Sequence, residues 1–169
     1  MTVIKGCMFA GKTKELLELY RKDEGKKSLY KPRLDNRSGT QYVSTHDGVF
    51  ERATPITTVK AVERILGTIY IDEIQFFPKS ETINEIKNIT LNGGKVVVAG
   101  LARDYTGANF GATEDLYNMA DVKCEVLATC AICGKHATES CRVSNDKEQI
   151  VVGGDDKYMP VCKNCFVNI

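Results

Sequence analysis

Residues 6–13 read Gly6-Cys7-Met8-Phe9-Ala10-Gly11-Lys12-Thr13, which matches the phosphate-binding pattern G-x-x-x-x-G-K-[ST]. In this pattern the glycines let backbone N–H groups face phosphate oxygens, and the next helix presents its positive N-terminal end to them. Lys12 is expected to neutralise the β and γ phosphates, and the Thr13 hydroxyl is expected to bind Mg²⁺. The motif therefore predicts a P-loop that binds a nucleoside triphosphate together with magnesium.

The sequence on either side of the motif has the order that a P-loop requires. Thr2-Val3-Ile4 before it predicts a short buried strand. Residues 13–24 after it carry apolar side chains at helical spacing, and Gly25 ends this predicted helix. A chance glycine-rich turn is the alternative, but such a turn seldom lies between a strand and an amphipathic helix.

The alternation of strands and helices continues along the chain. Further strands are predicted at 28–31, 68–71 and 96–99, helices at 59–66 and 80–91, and a polar loop at 35–48. This order predicts an α/β fold of the P-loop NTPase kind, a mostly parallel sheet flanked by helices. We expect this nucleotide-binding domain at 1–123 and a small second unit at 124–169, which includes a strand-like piece at 148–152.

Two acidic residues, Asp72 and Glu73, follow the predicted strand 68–71 directly. The carboxyl ends of parallel strands form the edge at which α/β sheets bind ligands. Asp72 fits the magnesium-holding role that an acidic residue has in P-loop enzymes, and Glu73 is then free for proton transfer. The alternative is that both carboxylates only cap the next helix. With a P-loop in the same chain, we favour the magnesium and proton-transfer roles.

Charge and hydropathy limit the partners that the chain is expected to have. Lys and Arg number 23 against 22 Asp and Glu, so the net charge of +1 gives no electrostatic reason to expect nucleic acid or a membrane surface. No apolar run approaches the roughly 20 residues that cross a bilayer, and no secretory pattern begins the chain. A small-molecule substrate and a cytoplasmic location are therefore expected.

Seven cysteines are present, and four of them form the pairs Cys130-x-x-Cys133 and Cys162-x-x-Cys165. Two such pairs have the spacing of a four-cysteine zinc ribbon, a closed tetrahedral site with a structural role. Buried or redox-active thiols are the alternative. His136 could replace one cysteine ligand, although a solvated turn histidine is the preferred interpretation. The three remaining cysteines, Cys7, Cys124 and Cys141, are expected to be ordinary free thiols.

Together these motifs resemble the type II thymidine kinases, the family of the cytosolic cellular enzyme and its bacterial and viral relatives. The resemblance covers nearly the whole chain. It rests on the P-loop with Phe9, Glu15-Leu16, Lys31-Pro32, Asp35-Asn36-Arg37, Thr45-His46-Asp47, residues 72–77, Gly100-Leu101, Asn109-Phe110-Gly111, Gly153-Gly154, Asp156-Lys157-Tyr158 and both cysteine pairs.

The resemblance implies transfer of the ATP γ-phosphoryl group to the 5′-hydroxyl of thymidine to give dTMP, with deoxyuridine as a second candidate acceptor. Glu73 is then the general base, and Arg37 assists. ATP binding falls to residues 6–13, Asp72 and Gln75. Gln75 and Asp35 are expected near the sugar. The family also implies a homotetramer and feedback inhibition by thymidine triphosphate.

The nucleoside base is expected, by the same resemblance, in an apolar pocket. Its lining would be Met8, Phe76, Leu101, Tyr105, Phe110 and Tyr158. Ordinary core packing is the alternative for any one of them. Backbone groups near Val151, Gly153 and Tyr158 would bind the pyrimidine edge, and a lasso-like loop framed by the zinc unit would close over the nucleoside.

The chain departs from the family pattern at three positions. Ala102 stands where many relatives have aspartate, and Asn109 stands where they have proline, so the loop between them is expected to order differently or to bind metal-phosphate differently. Cys7 replaces the usual proline or serine of the P-loop, and no chemical role is expected for it. No role is assigned to His46, which lies in a polar loop.

Two other functions compete with this interpretation. The first is a P-loop enzyme that acts on a different deoxynucleoside or a nucleotide. The second is a zinc-ribbon module that uses ATP only as a switch or binds nucleic acid. The near-zero net charge and the lack of a basic, aromatic-rich strip disfavour the second.

Overall fold

The computed structural model describes residues 1–45 and 47–169, so His46 lies outside the described residues. In chain order the strands are β1 (Thr2–Lys5), β2 (Lys27–Pro32), β3 (Tyr42–Ser44), β4 (Phe50–Arg52), β5 (Thr54–Ile56), β6 (Thr68–Ile71), β7 (Lys95–Gly100), β8 (Val122–Glu125), β9 (Ala128–Thr129), β10 (His136–Ala137), β11 (Glu139–Arg142) and β12 (Tyr158–Val161). The helices are α1 (Lys12–Lys22), α2 (Lys79–Leu91), α3 (Thr113–Met119) and α4 (Lys163–Phe166).

A six-stranded sheet in the order β5-β2-β6-β7-β1-β8 forms the centre of the larger unit, and every neighbouring pair of its strands is parallel. The predicted α/β fold is therefore confirmed. Strands covered on both faces are continuous apolar runs, as in the Val96-Val97-Val98-Ala99 stretch of β7. Because the strands are parallel, the residues that follow β1, β2, β6 and β7 meet at one edge of the sheet.

The two faces of the sheet bury different helices, because successive side chains of a strand point to opposite faces. Val3 of β1 belongs to the apolar cluster that contains Ile86 of α2 and Leu116 of α3. Its neighbour Ile4 belongs to the cluster that contains Leu16 of α1. Burial of α1 on one face fixes the direction in which the P-loop leaves β1.

The smaller unit consists of two antiparallel pairs, β9 with β10 and β11 with β12, together with α4. Its apolar cluster includes Ala128, Ala137 and Val161, and the P-loop residue Cys7 packs into the same cluster. Strand β8 extends to Glu125 within the large sheet. We therefore propose that the smaller unit begins after Glu125, two residues later than the sequence suggested.

Two predicted elements are wrong. The segment predicted as a helix at 59–66 contains only a short 3-10 turn at Val59–Ala61; Val59 and Val62 are buried in the core without a helix, and Leu66 is 94% exposed. The strand-like piece at 148–152 forms neither strand nor helix. In addition, β3 and β4 pair as a hairpin that begins inside the stretch predicted as a loop.

Within the described residues, none of the helices has the length and apolar character that crossing a bilayer would require.

A pair of glycine substitutions tests how closely Gly111, two residues before α3, packs against the backbone of Gln75. Gly111 and Gly93 both have positive φ, 56° and 81°. A Cβ atom at Gly111 would lie 2.4 Å from the Gln75 carbonyl oxygen, whereas a Cβ at Gly93 would meet nothing within 4 Å. We expect Gly93→Ala to lower the free energy of unfolding by about 1–2 kcal/mol through backbone strain alone.

Gly111→Ala should cost about 1–3 kcal/mol more than Gly93→Ala, since the backbone near Gln75 must move. Urea denaturation of both variants and the parent measures the difference. Equal losses in the two variants would show that the close approach at Gly111 is not maintained.

Candidate active site

The P-loop occupies the turn between β1 and α1. Glycines at two positions, Gly6 and Gly11, allow its backbone conformation. Gly6 lies against the smaller unit, where an added Cβ would be 2.4 Å from the Val126 carbonyl oxygen. Gly11 has φ 87° and precedes the first residue of α1. Phe9 also has positive φ, 63°, which is uncommon for a bulky residue. The turn thus holds backbone N–H groups at the N-terminus of α1, as phosphate binding requires.

Lys12 is buried at the base of the P-loop, 8% exposed, and its Nζ donates a hydrogen bond of 2.8 Å to the Cys7 carbonyl. Burial lowers the pKa of Lys12, and the negative charges of Glu73 and Asp72 oppose this shift. The ammonium group therefore lies between the loop and two carboxylates, a position from which it can reach an incoming phosphate.

Thr13 and Asp72, the two residues predicted to hold magnesium, lie side by side. The Thr13 hydroxyl donates to Asp72 Oδ2 over 3.0 Å. Burial, reinforced by the neighbouring charge of Glu73, raises the pKa of Asp72 to about 7. A hydroxyl oxygen and a buried carboxylate together supply the hard oxygen ligands that magnesium prefers. The donor set fits the ion, and Thr13 with Asp72 would hold it beside the P-loop.

Glu73 is held in an unusual backbone conformation, φ 50° and ψ 45°. A left-handed conformation of a residue other than glycine costs about 1–3 kcal/mol and is concentrated at functional sites. Its carboxylate accepts hydrogen bonds from Arg37 and from Gln75. Burial alone would raise the pKa of Glu73, but Arg37 and Lys12 outweigh it and lower the pKa below its ordinary value. Glu73 is therefore ionised at neutral pH.

Arg37 connects two buried carboxylates. Its Nε donates to Asp35 Oδ1 over 2.7 Å and its Nη2 donates to Asp35 Oδ2 over 3.0 Å, a two-point contact. The same Nη2 reaches Glu73. Burial acts against ionisation of both Asp35 and Arg37, yet Arg37 lowers the pKa of Asp35, and the charge of Glu73 together with Asp35 keeps the pKa of Arg37 above its ordinary range.

Gln75 lies behind Glu73 and is 2% exposed. Its Nε2 donates to Glu73 Oε2, and its Oε1 accepts from the Leu101 backbone N–H over 3.0 Å. The structure thus places Gln75 as a brace between two strand ends. It does not line the cleft in which ATP and the sugar were expected to contact it.

A cleft of about 610 Å³ opens over these residues, within the range of small-molecule sites. It is lined by most of the residues predicted for the site: Met8, Phe9, Ala10, Gly11, Lys12, Thr13, Asp35, Arg37, Asp72, Glu73, Phe76, Leu101, Tyr105, Phe110, Val151, Gly153 and Tyr158. Gly6 and Cys7 do not line it, and Cys7 is only 3% exposed.

One wall of the cleft is apolar. Met8, Leu101, Phe110 and Tyr158 form a buried cluster against which Phe9, Phe76 and Tyr105 pack. The rings of Phe76 and Phe110 meet edge to face, with centroids 5.7 Å apart. The residues that the resemblance assigned to a base pocket are therefore brought together at the cleft.

The loop with the two departures, Ala102 and Asn109, is a tight turn ordered by Asp104. The Asp104 carboxylate accepts from the backbone N–H groups of Thr106 and Ala108 over 2.9 and 3.1 Å. The Phe110 N–H donates to the Ala102 carbonyl over 3.0 Å, which closes the turn. Asp104 is 5% exposed and was not singled out by the sequence, although an aspartate two residues before threonine is typical of such a turn.

Two further residues of the smaller unit bind residues that line the cleft, and neither belongs to a recognisable sequence motif. Ser140, 3% exposed, accepts a 2.9 Å hydrogen bond from the Met8 backbone N–H. Arg142 donates to several carbonyls of residues 146–149 and to the Tyr158 hydroxyl. Ser140 is distant from its partner in sequence, whereas Arg142 binds carbonyls only four to seven residues later, in a segment without a regular pattern, so no sequence motif identified either residue.

The sulfur atoms of Cys130, Cys133, Cys162 and Cys165 all lie within 4.8 Å of one another. Cys133 Sγ and Cys162 Sγ are 3.6 Å apart, close to the roughly 3.8 Å edge of a zinc tetrahedron with Zn–S bonds of about 2.3 Å. Burial raises the pKa of Cys130, but backbone N–H groups of the two knuckles lower it to about 6, which favours the thiolate. The geometry of the four cysteines is compatible with structural zinc. His136, the alternative ligand considered from the sequence, is exposed on β10.

The chain is similar to known proteins over almost its whole length. The family model described as "Thymidine kinase" matches residues 1–166. Thymidine kinase of Pseudothermotoga lettingae is 33% identical over 174 residues, which cover 98% of this chain and 94% of that protein. The thymidine kinase of a Rhodothermus species is 31% identical, and the match covers 97% of this chain and 79% of that protein. The thymidine kinase of Thermococcus kodakarensis is 37% identical, and the match covers 96% of this chain and 91% of that protein.

The raised pKa of Asp72 predicts how pH changes stability. Between the unfolded pKa of 3.8 and the folded pKa of about 7, the folded state binds the extra proton, so this group's contribution to stability is lost as pH rises. We expect Asp72→Asn to unfold with a free energy larger than the parent's at pH 8, by on the order of 2 kcal/mol.

This advantage should shrink as the pH falls towards 4. Urea denaturation of both proteins at pH 4, 6 and 8, without magnesium or nucleotide, measures it. A difference between variant and parent that does not change with pH would contradict the raised pKa.

Replacing one cysteine of the cluster tests the zinc site. We expect the parent to contain zinc in equal proportion to the chain, and Cys133→Ser to lose it. The midpoint of thermal unfolding should fall by about 5 °C or more, since 1 kcal/mol corresponds to about 2–4 °C in a chain of this size. Cys124→Ser, which changes a free thiol of β8, is the control. Metal analysis that finds equal zinc in both variants would exclude the site.

Proposed function

Because the chain belongs to the thymidine kinase family, we propose that it transfers the γ-phosphoryl group of ATP to the 5′-hydroxyl of thymidine, giving ADP and dTMP. One observation carries the proposal beyond the family. A single cleft joins the P-loop, with its buried Lys12, to an ionised buried carboxylate, Glu73, and to an apolar wall of aromatic residues.

Glu73 is the general base of the proposed reaction. The 5′-hydroxyl oxygen forms a bond to the γ-phosphorus, its proton passes to the Glu73 carboxylate, and the bond from the γ-phosphorus to the β–γ bridging oxygen of ATP breaks. The lowered pKa of Glu73 keeps it ionised and therefore able to accept the proton. Arg37, held in place by Asp35, orients the carboxylate from one side, and Gln75 braces it from the other.

The P-loop supplies charge neutralisation. Lys12 exchanges its hydrogen bond to the Cys7 carbonyl for the β and γ phosphates of the incoming nucleotide. Thr13 and Asp72 would hold magnesium, which neutralises charge on the phosphates. The rate arises mainly from in-line positioning and from these fixed charges. A zinc ion in the cysteine cluster would be structural and would contribute no ligand to the reacting groups.

The base of the nucleoside is proposed to lie against the apolar wall of Phe76, Phe110 and Leu101. Backbone groups near Val151 and Gly153, which also line the cleft, would bind the pyrimidine edge. An apolar wall discriminates weakly against the loss of one methyl group, so deoxyuridine is expected as a poorer substrate.

The family also supports three proposals about the protein as a whole: a homotetramer, feedback inhibition by thymidine triphosphate, and a cytoplasmic location. Light scattering after size exclusion tests the first, and an elution as monomer would reject it. An inhibition assay with thymidine triphosphate and a cell fractionation test the other two, and absence of inhibition or of protein in the cytoplasmic fraction would reject them.

Replacement of the base tests the reaction directly. With ATP and thymidine we expect the parent to form dTMP and Glu73→Gln to lose about 100- to 10,000-fold in kcat, the usual contribution of a general base. Glu24→Gln, at an exposed carboxylate, is the control and should retain the parent's kcat. Circular dichroism confirms that each variant is folded.

Deoxycytidine in place of thymidine tests the acceptor. Much less product with deoxycytidine than with thymidine supports the proposal. A parent that is folded and binds ATP but gives no dTMP would point to another acceptor, and equal kcat in the parent and Glu73→Gln would remove Glu73 from the role of base.

A further inference from the structure

Residues 143–157 connect β11 to β12 and are called the lasso here. The described structure shows no helix or strand within them, yet Gln149 to Gly154 form part of the cleft wall. A segment without regular structure must satisfy its backbone carbonyls through other partners. The hydrogen bonds of the lasso carbonyls therefore show what holds this wall in place.

Arg142 is the residue immediately before the lasso, and its guanidinium binds the backbone of the segment that follows. Nη1 donates to the carbonyls of Asp146 and Glu148, over 3.0 Å in the first case. Nη2 donates to the Gln149 carbonyl over 3.2 Å and to the Tyr158 hydroxyl over 2.7 Å. Three of its five N–H donors thus bind lasso carbonyls, and a fourth binds Tyr158 just after the lasso ends.

The guanidinium also lies against two aromatic rings. Its central carbon is 3.6 Å from the centroid of the Tyr105 ring and 5.2 Å from that of the Tyr158 ring. Both tyrosines line the cleft, and each hydroxyl donates to a lasso carbonyl, Tyr105 to Lys147 and Tyr158 to Val151. Arg142 therefore touches at once the lasso and two residues of the apolar wall.

The guanidinium of Arg142 forms no close ion pair among the described residues, although its charge helps to lower the pKa of Asp146. Among residues 1–45 and 47–169, no carboxylate oxygen lies within 4.0 Å of its side-chain nitrogens, so its partners are neutral carbonyls, a hydroxyl and the faces of the rings. Arg142 is also paired with Tyr158 across β11 and β12, at the point where the lasso begins and ends. This position lets one side chain fix both the ends and the middle of the segment.

We propose that Arg142 is a positioning residue that holds the lasso over the cleft and thereby sets the affinity for the nucleoside. The nucleoside part of the proposal rests on the proposed function. Arg142 does not itself line the cleft, and it acts through Tyr105, Tyr158 and the carbonyls of residues 146–149. Binding of the phosphates takes place at the P-loop and does not depend on this contact.

Lysine cannot replace arginine in this role. A lysine ammonium group has three donors around one nitrogen, whereas the planar guanidinium presents its donors in a fixed fork and stacks on aromatic rings. The substitution Arg142→Lys therefore keeps the charge while removing the geometry. Arg64→Lys is a matched control, because Arg64 pairs with Glu85 on the surface and its side chain is half exposed.

Steady-state kinetics of the parent, Arg142→Lys and Arg64→Lys test the proposal. In Arg142→Lys we expect KM for thymidine to rise about 10- to 100-fold, as expected for loss of hydrogen bonds that order the site, with kcat and KM for ATP within about 3-fold of the parent. Arg64→Lys should match the parent in all three constants. A rise in KM for ATP and a fall in kcat that are as large as the rise in KM for thymidine would overturn the positioning role, because they would indicate general damage to the fold.

Hydrogen exchange measured by mass spectrometry gives a readout that needs no substrate. The amides of Val143 and Lys157, which donate to the carbonyls of Lys157 and Gly154, should exchange about 10- to 100-fold faster in Arg142→Lys than in the parent, while those of β6 and β7 stay unchanged. Unchanged exchange of these lasso amides would overturn the proposal. If the parent does not phosphorylate thymidine, the proposed function fails, and the exchange comparison alone then supports or overturns the holding role of Arg142.

Discussion

Two adjacent carboxylates, Asp72 and Glu73, are buried at the end of β6. Two buried groups of like charge can both be ionised only when neighbouring positive charges offset their repulsion and their burial. Arg37 and Lys12 provide that compensation for Glu73, whereas Asp72 takes a raised pKa. Asp35 in turn fixes Arg37. The segment after β2 and the P-loop after β1 are therefore brought to the same sheet edge that this pair occupies.

The parts of the site that depend on short-range order could be predicted from the sequence. The P-loop, the Asp72-Glu73 step and both cysteine pairs each require a fixed spacing, and the structure places each group as a unit. The helix at 59–66 failed because apolar spacing does not distinguish a helix from an irregular segment whose apolar side chains are buried, as Val59 and Val62 are here. Ser140 could not be predicted, since its partner Met8 lies 132 residues away, and Arg142 could not, since its carbonyl partners lie in a segment without regular structure.

Both units of the protein contribute to the loop proposed to bind phosphate. The backbone N–H of Met8 donates to Ser140, and the Cys7 thiol donates to the Ala137 carbonyl over 3.4 Å. Cys7 also packs in the apolar cluster of the smaller unit, where Cys130 and Cys162 lie. The departure at Cys7 therefore has a packing role, although it has none in the chemistry. A zinc ion in the cysteine cluster would stabilise one side of the P-loop.

These contacts have a consequence for the order in which the protein matures. Met8 precedes its partner Ser140 by 132 residues, and Cys7 precedes Ala137 by 130. During translation the amino-terminal part of the P-loop leaves the ribosome long before the strands that support it. A nascent chain can form the parallel sheet early, but Cys7 and Met8 lack these partners until residues 137–140 have been synthesised.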